Sequence, residues 1–335
     1  MTEKKIIRPV LQLPFRDLGH EGANNKFRGT GVALVTPFQK DGSIDFKGLE
    51  KVIDHVINGG VEYVVSLGTT GETPTLSKEE KKSLVKYTVE KTAQRVPVVV
   101  GIGGNSTREV VDTFNYYDLS GVDAILSVSP YYNKPNQRGI VEHYKAIGNA
   151  SPLPIIVYNV PGRTSSNISA ETILQLAEEV APIFAVKEAS GNFDQIMKII
   201  KYKPKDFLVI SGDDLITLPI IASGGDGVIS VIANAFPKEF SEMTRQALAG
   251  NYSQAQKFHY KIDEFTRLIF SDGSPAGVKC LLEMMKICSA YMRLPLVNVN
   301  AQVEEALAEE LGVRSSEFGE GSSEYGEKQL RTPNP

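Results

Sequence analysis

In the stretch FAVKEASG, residues 184–191, a lysine closes an apolar run. Ile183 to Val186 read as a short buried strand, and Lys187 follows directly, with Glu188 and turn-forming residues after it. Most lysines at strand ends are solvated charges, and that reading of Lys187 stands beside a chemical one. An unprotonated lysine attacks a carbonyl and forms a Schiff base, which draws electrons from the adjacent carbon and lets it lose a proton. A lysine in water, with a pKa of about 10.4, is almost wholly protonated, and an apolar setting disfavours that charge. The chemistry also needs a proton carrier. Tyr158, Tyr132 and Thr69, at the ends of other apolar runs, offer hydroxyls for a relay. Arg163 can hold a carboxylate through a bidentate pair. Thr69 and Thr70, in a glycine-flanked turn, can hold a second. Each of these also has a plainer role. A tyrosine pair is interface or core surface, Arg163 a solvated loop charge, Gly68 and Gly71 the makings of a tight turn, and Asp213-Asp214 a helix cap.

The elements that would bring these residues together are legible as eight Val- and Ile-rich runs: 31–38, 62–70, 97–105, 124–132, 154–161, 183–190, 207–214 and 227–234. Continuous rather than alternating apolar runs suit strands covered on both faces of a parallel sheet. Helical patterns fill most of the gaps. Ser77 and Glu80 can form a capping box ahead of 78–93, Ser169 can cap 170–180, and Asn58-Gly59-Gly60 reads as a helix stop. Strand and helix alternating eight times is the sequence form of an α/β fold of the (β/α)8, or TIM barrel, type. An open doubly wound sheet is the competing architecture. GIGGNS at 101–106 lacks the third glycine and the downstream acid of a dinucleotide fingerprint. In a closed barrel the strand C-termini share one face, where Lys187, Tyr158, Tyr132, Thr69, Thr70 and Arg163 would meet. Residues 26–236 are expected to form the barrel, and 237–312 a C-terminal helical appendix with helices at 237–250, 251–270, 275–291 and 301–311. Residues 1–25 form an extension of little periodicity. The Ser-, Gly- and Glu-rich tail 313–335 reads as disordered.

Bulk properties exclude several classes. The chain has 335 residues and a net charge of −4, which gives no electrostatic footprint for nucleic acid or an acidic membrane. No apolar run approaches a bilayer-spanning length, and the N-terminus lacks the pattern of a secretory signal. Cys280 and Cys288, eight apart in a stretch that reads as helix, suit neither a disulfide framework nor a zinc site. They read as reduced core thiols of a cytoplasmic protein. The four histidines, at 20, 55, 143 and 259, have no ligand spacing, so no metal is expected.

GTTGE at 68–72, YNVPGRT at 158–164 and KEASG at 187–191 resemble the pyruvate-dependent class I aldolase superfamily, and within it the dihydrodipicolinate synthases. The likeness spans about residues 26–311, with the motifs on the second, fifth and sixth runs. The resemblance implies condensation of pyruvate, held as a Schiff base on Lys187, with aspartate-4-semialdehyde, the first committed step of diaminopimelate and lysine synthesis. It implies that Tyr158 donates and accepts the proton, with Thr69 and Tyr132 completing the relay and Tyr132 coming from a neighbouring subunit. It assigns Thr70 to the pyruvate carboxylate and Arg163 to the semialdehyde carboxylate. Gly212 and Ile229 line the pocket through their backbone. A homotetramer built as a dimer of dimers, with no metal and no organic cofactor, is implied as well. Asn105, Glu109 and Tyr131 match a cleft in which some relatives bind lysine as a feedback inhibitor. Lys78 and Lys81 stand where lysine-sensitive relatives often carry histidine, and cations there should repel a cationic ligand. Related sugar-acid lyases commonly read GSTGE and lack the arginine found here at 163. The readings left to compete are another aldolase or dehydratase of the superfamily, a lysine that holds pyridoxal phosphate, and a barrel kept as a scaffold.

Overall fold

The computed structural model describes residues 24–315. Eight strands pair in parallel, each with the next in sequence, and the last pairs with the first to close a barrel. They are β1 (Gly29–Ala33), β2 (Tyr63–Ser66), β3 (Val98–Gly101), β4 (Ala124–Val128), β5 (Ile155–Asn159), β6 (Ile183–Glu188), β7 (Leu208–Ser211) and β8 (Gly227–Ser230). The open-sheet alternative is therefore excluded. Each strand is shorter than the apolar run that announced it. After β1 the chain leaves the ladder, yet Leu34 and Val35 stay buried beneath neighbouring segments, so hydrophobicity outlasts the strand.

Helices α1 (Phe46–Asn58), α2 (Lys78–Thr92), α3 (Thr107–Tyr116), α4 (Gln137–Ala150), α5 (Ala170–Glu179), α6 (Phe193–Tyr202), α7 (Thr217–Ala222) and α8 (Pro237–Leu248) follow successive strands. Their starts and stops obey local chemistry. Ser77 and Glu80 form the expected reciprocal capping box on α2. The Ser169 hydroxyl accepts from the Thr172 N–H at the start of α5. Helix α1 ends at Asn58, and Gly60 takes φ +87° just beyond it. Helices α9 (Tyr252–Ser271), α10 (Ala276–Met284) and α11 (Ala301–Ser315) complete the described chain. Helix α8 packs on β1 and α1, and α9 packs on α8, α10 and α11.

The expected helix over 275–291 stops early. Lys286 adopts φ +58°, and the Ile287 N–H reaches back to the Leu282 carbonyl, a Schellman-type ending at a lysine in place of glycine. Cys280 therefore lies in a helix and Cys288 in the irregular segment after it, both buried and unbridged. Helix α11 runs on to Ser315, four residues past its expected end, while the rest of the tail and residues 1–23 lie outside the described residues. None of the described helices is long and apolar enough to cross a membrane.

Two apolar layers hold the barrel. The outer one lies between the strands and the helices. The inner one fills the lumen, with Val65, Leu126, Ile156, Tyr158, Ile210 and Ile229 among its members. Phe27 closes the end away from the strand C-termini, its ring 5.5 Å from Tyr63 and 5.1 Å from Phe184. Gly31 leaves room for the Tyr63 ring, since a Cβ there would lie 2.1 Å from a ring carbon. The lumen is thus a packed core of side chains.

Candidate active site

Lys187 is the penultimate residue of β6 and Tyr158 the penultimate residue of β5, and the two are register partners across the strand pair. Alternation puts Ala185 and Lys187 inside the barrel, and Val186 and Glu188 outside it. Lys187 is only 5% exposed. Its Nζ lies 4.3 Å from the centroid of the Tyr158 ring, and no carboxylate among the described residues pairs with it. Gly212, after β7, keeps the lysine stem in place by its bareness: a Cβ there would lie 2.6 Å from the Ala189 methyl and 3.1 Å from the lysine Cε. Ile229 of β8 is buried in the same lumen cluster as Tyr158.

The outer side of the same strand pair is latched. The Asn159 side-chain amide donates to both oxygens of Glu188, at 3.2 and 3.0 Å. The Ser190 N–H and the Gln195 amide donate to Glu188 as well. Glu188 is buried with no salt-bridge partner among the described residues, and its oxygens are met by amide donors. The latch holds β5 and β6 in the register that sets Tyr158 beside Lys187.

Above Tyr158 opens a cavity of about 260 Å³, lined also by Thr69, Thr73, Leu126, Tyr131 and Arg163. Thr69 enters it from a 3-10 turn, Thr69–Gly71, that follows β2. Arg163 enters from the helical turn Pro161–Thr164 that follows β5, where its Nη2 lies 3.5 Å from the Ser274 carbonyl oxygen. The structure thus brings Tyr158, Thr69 and Arg163 to one cavity, while Lys187, packed on the Tyr158 ring, and Gly212 and Ile229 are not among the residues lining it. Thr70 is buried within the turn and is not among the residues lining the cavity. Tyr132 stands apart. It is 89% exposed, has φ +69°, and is not among the residues lining its own chain's cavity.

A second cavity, of about 420 Å³, lies beside the first and shares Thr73 and Tyr131 with it. Asn105, Glu109 and Tyr131 line it, together with Lys78 and Lys81. Burial, then the neighbouring Lys78 charge, pushes the Lys81 ammonium below the ordinary lysine range. Among the described residues no group of three or more His, Cys, Asp or Glu could hold a metal ion.

Sequence reasoning passed over Glu72, Lys279 and Arg293. Lys279 and Glu72 form an ion pair at 2.8 Å with both side chains fully buried. Two signals were present: Glu72 closes the GTTGE motif, and Lys279 interrupts the apolar stretch AGVKCLL much as Lys187 interrupts FAVKEASG.

Comparison with known proteins places the chain in a family. The model of the dihydrodipicolinate synthetase family matches residues 26–313. A 4-hydroxy-tetrahydrodipicolinate synthase of Parabacteroides distasonis is 52% identical over 289 residues, which is 86% of this chain and 97% of the relative. That of Flavobacterium psychrophilum is 51% identical over 281 residues, 84% of this chain and 96% of the relative. Among solved structures, the chloride-inhibited dihydrodipicolinate synthase of Acinetobacter baumannii in complex with pyruvate superposes with a TM-score of 0.82 at 40% identity, covering 85% of this chain and 98% of that one.

Proposed function

This chain belongs to the dihydrodipicolinate synthetase family, and from that premise we propose how its own residues run the reaction. The protein is a lyase that condenses pyruvate with aspartate-4-semialdehyde to 4-hydroxy-tetrahydrodipicolinate through a Schiff base. The observation that carries the residue assignment is the contact of Lys187 Nζ with the ring of Tyr158, a residue that lines the cavity.

Lys187 Nζ attacks the ketone carbon of pyruvate, and loss of water leaves an iminium. The methyl carbon then gives up a proton, and the resulting enamine attacks the aldehyde carbon. The amine of the semialdehyde closes the ring on the iminium carbon and frees the lysine. Tyr158, whose ring centroid lies 4.3 Å from Nζ, carries protons to and from these centres, with Thr69 passing them onward. Tyr132 completes the relay in a neighbouring copy of the chain, which accounts for its exposure in a single one. Thr70 holds the pyruvate carboxylate through the turn, and Arg163, at the cavity wall, holds the carboxylate of the semialdehyde. Gly212 and Ile229 contribute backbone to the pocket. The working form is a homotetramer in the cytoplasm.

In the second cavity, the Lys78 and Lys81 ammonium groups oppose a cationic amino acid, so free lysine inhibits weakly or not at all. A rate assay showing tight inhibition at micromolar lysine would refute that. The catalytic reading is tested by turnover of pyruvate and aspartate-4-semialdehyde, coupled to the NADPH-dependent reductase that consumes the product. NADPH consumption that vanishes in Lys187→Ala supports it. A folded wild-type protein without turnover overturns it.

A further inference from the structure

Lys279 and Glu72 are 207 residues apart in sequence, yet the lysine is fully buried against the loops that follow β1 and β2. An ammonium in such a place needs all three of its protons taken. Nζ donates to Glu72 Oε1 at 2.8 Å, to the Thr36 carbonyl at 3.0 Å and to the Tyr291 carbonyl at 2.5 Å. These acceptors belong to three segments: the loop after β1, the turn after β2 and the chain after α10. The second oxygen of Glu72 accepts the Arg293 backbone N–H at 3.2 Å. The Arg293 guanidinium in turn binds Glu80 at the start of α2 and the carbonyls of Gly42 and Thr75. The Phe38 ring packs against both cations, 4.5 Å from Lys279 Nζ and 4.4 Å from Arg293 Cζ.

Desolvating two charges offsets much of their attraction, so a pair this deep is better at specifying geometry than at adding stability. The geometry it specifies is unusual. Glu72 adopts φ +53° and ψ 33°, the left-handed region, directly after the Thr69–Gly71 turn. Its N–H donates to the Thr69 carbonyl, while Thr36 Oγ1 donates to the Gly71 carbonyl at 2.7 Å and Thr73 Oγ1 to the Gly68 carbonyl at 2.8 Å. Thr36 therefore meets Lys279 through its carbonyl and the turn through its hydroxyl.

We propose that Lys279 is a positioning residue for the pyruvate end of the site, acting through Glu72 to hold the Thr69–Thr70 turn against the rim of β1. The C-terminal helices then set the shape of a loop more than 200 residues upstream, and their docking is a condition of catalysis. The inference rests on the reading of Thr69 and Thr70 given above.

The test compares wild type, Lys279→Met and the neutral double variant Glu72→Gln/Lys279→Met, all in the full chain. In Lys279→Met, kcat/KM for pyruvate falls about 10- to 100-fold, the scale of an ångström-level misplacement. The KM for the semialdehyde, which meets Arg163 instead, stays within about twofold of wild type. The double variant has no uncompensated buried charge, so its melting temperature recovers toward wild type while its pyruvate defect persists. That split between stability and pyruvate handling is what a purely structural role would not produce. Pyruvate kinetics that recover together with stability, or a folded Lys279→Met with wild-type pyruvate kinetics, would overturn the proposal. Borohydride trapping of pyruvate on wild-type Lys187 separates the two levels. A wild-type protein that traps none would overturn the site reading itself, and this inference with it.

Discussion

Lys187 and Lys279 are both buried, and their surroundings differ in every other respect. Lys279 has each of its protons taken and a carboxylate at 2.8 Å. Lys187 has an aromatic ring beneath it, a cavity nearby and no carboxylate among the described residues. The first arrangement ties the ammonium down on three sides, which suits a framework, even though burial pushes it below the ordinary lysine range. The second leaves the amine beside a cavity with no ion-pair partner among the described residues, where it can meet a carbonyl, which suits a nucleophile. Burial of a lysine is therefore not by itself a functional sign; what decides is whether its protons have partners.

Four substitutions test that contrast. The largest effect is expected at Lys187. Lys187→Ala should lower turnover by roughly 10³-fold or more while leaving the denaturant midpoint close to wild type, because no paired charge is stranded. Lys279→Met should do the reverse in the stability measurement. It leaves Glu72 buried without its cation, and urea unfolding should show a loss of about 3–5 kcal/mol. Were Lys187→Ala the more destabilising of the two, the contrast would fail.

Arg163→Ala comes next, since the residue lines the cavity and its guanidinium makes one long hydrogen bond, to the Ser274 carbonyl, among the described residues. Its kcat/KM for the semialdehyde should drop about 10- to 100-fold, the cost of a lost charged hydrogen-bond pair, with pyruvate kinetics preserved. A variant that bound pyruvate poorly but kept its aldehyde kinetics would assign Arg163 to the wrong substrate. The smallest effect is at Glu80. The Arg293 guanidinium, and after it the Ser77 N–H, hold its carboxyl at about 2, down from 4.5, against a smaller opposing effect of burial. A depressed carboxylate adds stability above its unfolded pKa, and that stability is lost as pH falls through the folded value. Wild type should therefore lose stability between pH 4.5 and about 2, and Glu80→Gln should flatten that limb. Because the pair is partly exposed and screened, its worth at neutral pH is about 1 kcal/mol. Equal acid limbs in the two proteins would show that the Arg293 contact does not reach the folding equilibrium.

The same pair of lysines shows what a sequence discloses. The barrel was readable because parallel strands covered on both faces must be apolar throughout, so eight runs stood out without any knowledge of their partners. Their ends were overdrawn because residues such as Leu34 and Val35 remain buried after leaving the ladder. Lys187 was readable because a strand-end lysine next to apolar residues is a local anomaly, and Tyr158 and Arg163 lie within seven residues of one another in one motif. Lys279 carries a similar anomaly, but its meaning lies in Glu72 and Thr36, 207 and 243 residues away. No periodicity records a contact at that separation. The early end of α10 was equally hidden, since it depends on Lys286 adopting a conformation that lysine seldom takes.

The most direct measurement is borohydride reduction of the protein in the presence of pyruvate, followed by peptide mass spectrometry. A reduced pyruvyl adduct is expected on Lys187 and none on Lys279, with the adduct abolished in Lys187→Ala. An adduct on another lysine, or a folded and active protein that forms no adduct at all, would contradict that expectation.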